Sequence, residues 1–72
     1  MPDGWYTEIY SRSEMKSREY WMLPDFAATL AYLKEFNRRR EQGSTDILRI
    51  LPPTSASDQE HRELMENGAT LG

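Results

Sequence analysis

Apolar residues recur along this chain with two different periods, and the change of period marks its elements. In GWYTEIYS, residues 4–11, Trp5, Thr7 and Ile9 fall on one side of an extended chain. Tyr6, Glu8 and Tyr10 fall on the other, which predicts a strand with two unlike faces. The polar run RSEMKSR then predicts a hairpin loop. EYWML, residues 19–23, predicts a second strand, with Trp21 and Leu23 on one side and Tyr20 and Met22 on the other. Pro24 ends it, because proline has no N–H to give to a sheet ladder.

The period then lengthens. Phe26, Leu30, Leu33 and Phe36 follow one another at helical spacing and share one face. Asp25 stands where an N-cap carboxylate accepts free backbone N–H groups, and Gly43 stands as a left-handed stop. TDILRILPP, residues 45–53, predicts a third strand. It is apolar on both faces except at Arg49, and Pro52 and Pro53 end it. SDQEHRELMENG opens with a capping box, Ser57 with Glu60, and closes at Gly68. It predicts a short helix over 58–67 whose apolar stripe is Leu64 and Met65.

The predicted fold class is α+β, a single small ββαβα domain. A right-handed crossover from the second strand to the third skips the first, so the expected sheet is three-stranded and antiparallel in the order 2-1-3. The long helix is expected to cover the face with Trp5, Ile9, Trp21, Leu23, Leu48 and Ile50. Residues 1–54 are expected to form the ββαβ core. Residues 55–72 supply a linker, the short helix and a frayed tail.

Length and composition narrow the chemistry. Seventy-two residues allow one domain with a marginal core, so oligomerisation is a common supplement at this size. The chain has no cysteine and one histidine, so no disulfide and no structural zinc site is expected. Net charge is −3, which argues against a general nucleic-acid binder. MPDGWYTEIY lacks the regions of a secretory signal, and no run is long and apolar enough for a membrane span. A cytoplasmic location is expected.

FNRRREQG is the most charged stretch. Adjacent helical residues differ by about 100°, so Arg38, Arg39 and Arg40 fan over about 200° and form no stripe. In a last turn, cations complement the negative end of the helix dipole. Glu35 can pair with Arg38 and Arg39, and Glu41 with Arg38. The cluster reads first as a helix ending and second as a contact for an anionic partner.

Alternation leaves a second sheet face carrying Tyr6, Glu8, Tyr10, Arg18, Tyr20, Met22, Ile47, Arg49 and Leu51. Tyrosine, methionine and arginine are enriched in protein interfaces. Of these, Tyr6, Tyr10, Arg18, Tyr20, Met22 and Arg49 are the expected partner-binding residues. Three occupants compete for the face: the C-terminal helix, a second copy or a foreign protein, and stacked nucleic-acid bases. Glu8 near its centre weakens the last. In a homodimer, Glu8 would need Arg18 or Arg49 of the other copy.

Catalytic signatures are missing. His61 lies between Glu60 and Glu63 without the HExxH pattern, and no GxSxG, Walker A or GxGxxG spacing occurs. The expectation is a non-catalytic protein-binding module without cofactor or metal, homodimeric through the aromatic face. A small regulator or inhibitor from a phage or other mobile element would fit this size and acidity. The alternative is a nucleic-acid binder using Arg38, Arg39, Arg40, Arg49 and the sheet tyrosines.

Overall fold

The computed structural model describes residues 4–40 and 42–71. Strand β1 (Trp5–Ser11) and strand β2 (Lys16–Leu23) form an antiparallel hairpin. Helix α1 (Phe26–Arg39) leads to strand β3 (Asp46–Leu51), which pairs antiparallel with β1 on its other side. Helix α2 (Asp58–Glu66) leads to a short strand, β4 (Thr70–Leu71), parallel to β3. The sheet order is β2-β1-β3-β4. The expected α+β fold and the 2-1-3 order hold, and a fourth strand extends them.

Local chemistry sets the helix ends. Asp25 accepts the Ala28 N–H at 2.8 Å and starts α1. In α2 both halves of the capping box are made: the Glu60 N–H donates to Ser57 Oγ at 3.1 Å, and the Ser57 N–H donates to the Glu60 carboxylate at 2.9 Å. Gly68, at φ +93, ends α2. Its N–H donates to the Met65 carbonyl, and the Ala69 N–H reaches back to that of Leu64. Gly43 does not stop α1 as expected. Arg40 already leaves the helix with extended backbone, and Gly43 (φ +85) instead serves the turn into β3.

β4 corrects the expectation of a frayed tail, and it decides where α2 packs. Strands β2, β3 and β4 all run antiparallel to β1. The chain thus steps across the sheet twice in the same sense, through α1 and then through α2. Crossovers of one hand and one sense place their helices on the same face. Leu33 of α1 and Leu64 of α2 accordingly join Trp5, Leu48, Ile50 and Ala69 in a single core. Each fully buried leucine or isoleucine there contributes about 1.5–3 kcal/mol through removal from water. Leu64 and Ala69 thus belong to the core, and Ala56 and Leu71 pack against it. Of the expected α2 stripe, Leu64 is buried while Met65 points outward.

The same face holds two buried threonines, and both are satisfied. Thr7 donates to the Trp5 carbonyl at 3.1 Å, and Thr29 to the Asp25 carbonyl at 2.9 Å. Trp21 departs from expectation, remaining 49 % exposed on the margin of the helix-covered face. β2 is the edge strand, and Trp21 borders an open cleft between it and α1.

The hairpin turn stores strain. Met15 sits at φ 58, in the left-handed region that a side chain with a Cβ enters only at a cost of about 1 kcal/mol. Met15→Gly is expected to raise stability by about 0.5–1 kcal/mol, part of the relief being offset by the more flexible unfolded chain. Urea denaturation measures this. A loss of stability would show that the Met15 side chain makes contacts worth more than the strain.

Candidate functional site: the bare sheet face and the cleft behind it

Both helices lie on one side, so the other face of the sheet is uncovered by any described element. Register arranges its side chains in rows across the strands. Met22, Tyr6 and Leu51 form the first row; Tyr20, Glu8, Arg49 and Thr70 form the second; Ser17, Tyr10 and Ile47 form the third. Tyr20, Met22 and Leu51 are each more than half exposed. Tyr6 leans toward Tyr20, their ring centroids 6.1 Å apart.

In the middle row, Glu8 and Arg49 have partners within the chain. The Glu8 carboxylate accepts from Ser17 Oγ at 3.0 Å and from the Tyr6 hydroxyl at 3.3 Å, and Arg49 Nη1 lies 3.3 Å away. The Arg49 guanidinium also sits over the Tyr10 ring, 5.3 Å from its centroid. Partial burial, then the Glu8 carboxylate, push the Tyr6 phenol above its ordinary value. The charge expected to oppose self-association is thus neutralised within one chain.

Five of the six expected partner-binding residues share this face: Tyr6, Tyr10, Tyr20, Met22 and Arg49. Arg18 does not, and this is a correction. Tyr10 pairs with Ser17 while Ile9 pairs with Glu19, so Arg18 is the extra residue of a β-bulge. A bulge breaks strict alternation, and Ser17 takes the place on the open face. Arg18 turns to the helix side and donates to the Asp46 carboxylate at 2.7 Å.

The three arginines that end α1 have local partners. Arg38 and Arg39 both pair with Glu35, Arg39 Nε at 2.6 Å, and Arg40 Nη2 donates to the Ser44 carbonyl at 3.1 Å. The hydrogen bond from Arg38 leads the causes that hold Glu35 below its ordinary value. The expected pairing with Glu41 lies outside the described residues. Arg39 and Arg40 border a cleft on the helix side, away from Tyr6, Tyr10 and Tyr20. The arginine cluster and the aromatic face therefore do not form one surface.

That cleft, of about 840 Å³, lies between the hairpin and the C-terminal end of α1. Trp21, Tyr32 and Phe36 supply its apolar lining, and Arg18, Glu19 and Asp46 part of its charge. Burial first, and then the Glu19 carboxylate, push the Tyr32 phenol above its ordinary value. Sequence reasoning missed this feature. Tyr32 stands off the Phe26/Leu30/Leu33/Phe36 stripe, and Arg18 enters only through the bulge. Among the described residues no group of histidine, cysteine, aspartate or glutamate side chains could hold a metal ion, and no helix is long and apolar enough to cross a membrane.

Comparison with protein-family models, with curated proteins and with solved structures finds no match to this chain.

Proposed function

We propose that this protein is a non-catalytic protein-binding module whose working surface is the bare sheet face, and that a second copy of the chain is its first partner. One observation carries the reading. The two crossovers put both helices on the same side, so two apolar rows, Met22-Tyr6-Leu51 and Tyr10-Ile47, meet solvent across a sheet too small to leave them idle. The Glu8–Arg49 pair between those rows is neutral as a unit, so two faces related by a two-fold axis meet without net repulsion. Each tyrosine ring packs inside while its hydroxyl stays at the wet rim.

A nucleic-acid reading loses support from the same geometry. Arg49 is engaged by Glu8 and Tyr10, and the α1 arginines lie on the other side of the sheet, engaged by Glu35 and Ser44. Bases stacked on the tyrosines would meet, in Arg49, a cation already held by Glu8 and Tyr10.

Sedimentation velocity tests the proposal. The wild-type chain should be a dimer at micromolar concentration, and Leu51→Lys should shift it to monomer. Leu51 is 52 % exposed, so the variant should keep the far-UV spectrum of the parent. A wild-type monomer across that range, or an L51K dimer, would refute pairing through this face. Anisotropy with labelled DNA and RNA at low salt supplies the opposing measurement, since affinity falling linearly with log salt would favour a nucleic-acid partner.

A further inference from the structure

The edge of the sheet raises a different question from its face. β4 closes one side with two residues, Thr70–Leu71, whereas on the other side, among the described residues, β2 pairs with β1 alone and leaves an eight-residue backbone edge unpaired. An unpaired ladder is a template for another strand unless something blunts it. Here the blunting is confined to one half. Lys16 and the bulge at Arg18 disrupt the start of β2, while residues 19–23 carry one charge, no proline and no bulge before Pro24. In that half Tyr20, Trp21 and Met22 are all exposed.

We infer that residues 19–23 of β2 form a strand-addition site for an extended, basic segment of a partner protein, which adds antiparallel to β2 and sends alternate side chains into the Trp21–Tyr32 cleft. The backbone edge specifies an extended chain, because only such a chain matches a row of alternating N–H and C=O groups. The cleft specifies the side chains. Glu19 and Trp21 share the helix side of β2 and both line the cleft. Side chains of an added strand opposite them would face indole, phenol and carboxylate together.

Glu19 selects for positive charge. The other carboxylates of the cleft are taken: Asp46 by Arg18, Glu35 by Arg38 and Arg39, and Glu14 by Lys16. Among the described residues Glu19 has no ion-pair partner, and the chain as a whole carries −3. A lysine or arginine opposite Glu19 would gain that carboxylate, and its neighbour on the same side could lie against Trp21.

A second copy is the weaker occupant. Its own β2 would bring a second Glu19 to the edge, and its Lys16 and Arg18 are already paired with Glu14 and Asp46. A foreign basic strand arrives with its cations free.

The test uses the full chain and a short fluorescein-labelled peptide of alternating lysine and valine. Its comparators are the glutamate/valine peptide and a lysine/valine peptide N-methylated at alternate residues. The lysine/valine peptide should bind, the glutamate/valine peptide should bind more weakly, and N-methylation should abolish binding because it removes ladder donors. Glu19→Gln should weaken the lysine/valine peptide by about two- to fivefold, the size of one exposed ion pair. Amide hydrogen exchange should slow at residues 19–23. Equal binding of the N-methylated peptide, or perturbation centred on Tyr6 and Leu51, would overturn the inference. So would slow exchange of the β2 amides in a self-associated chain without peptide, which would make a second copy the occupant. Leu51→Lys should leave peptide binding intact, so failure of face pairing and failure of strand addition are read separately.

Discussion

Leu33→Ala is expected to lower stability by about 2–5 kcal/mol, leaving much of the population unfolded. Leu33 has no exposed surface and stands at the centre of the α1 stripe, against the cluster of Trp5, Leu48 and Ile50. Removing three carbons there loses their transfer energy and opens a cavity that neighbouring strands cannot close without breaking register. A domain of this length has a total stability of about 4–11 kcal/mol, so one such loss is a large fraction. Leu30→Ala should fall at the lower end of the range, because Leu30 is only partly buried. Arg39→Ala should change stability by less than about 0.5 kcal/mol, since its ion pair with Glu35 is exposed. Urea denaturation of the three variants gives the ranking. Arg39→Ala as the most damaging would invalidate the assignment of the faces of α1.

Leu64→Ala is expected to cost about as much, 2–5 kcal/mol by the same mechanism, whereas Met65→Ala should cost less than about 0.5 kcal/mol. The two residues are neighbours on α2, yet Leu64 is fully buried and Met65 is 55 % exposed. The contrast measures which side of the sheet α2 covers. If α2 were folded over the tyrosine face, or detached as an appendage, Leu64 would not be the cornerstone of a core shared with Leu33 and Ala69. Equal and small effects of the two variants would count against the packing described here, and would reopen the C-terminal helix as the cover for Tyr6 and Tyr10. Thermal denaturation followed by circular dichroism is sufficient for both.

The elements of this protein were legible in its sequence because the forces that make them are local. Alternation of Trp5, Thr7 and Ile9 with Tyr6, Glu8 and Tyr10 needs only a pleated backbone, and the Phe26/Leu30/Leu33/Phe36 spacing needs only a helical one. Asp25, Ser57 and Glu60 act within a single turn, so both helix starts were readable. The same locality explains why the arginines read correctly as a helix ending, with Glu35 one turn away. Most of the candidate face followed from alternation alone.

Tertiary structure decided the rest, where a residue's place depends on a partner distant in the chain. Arg18 lies on the helix side because one residue of β2 is not matched in β1, and no local pattern records where a register slips. Thr70 and Leu71 are a strand because β3 has a free edge for them; alone, ATLG is too short for either period to show. That short strand carries the largest consequence. By adding parallel to β3 it makes α2 a second crossover in the same sense as α1, which sends both helices to one face and leaves Tyr6, Tyr10, Tyr20 and Met22 uncovered on the other.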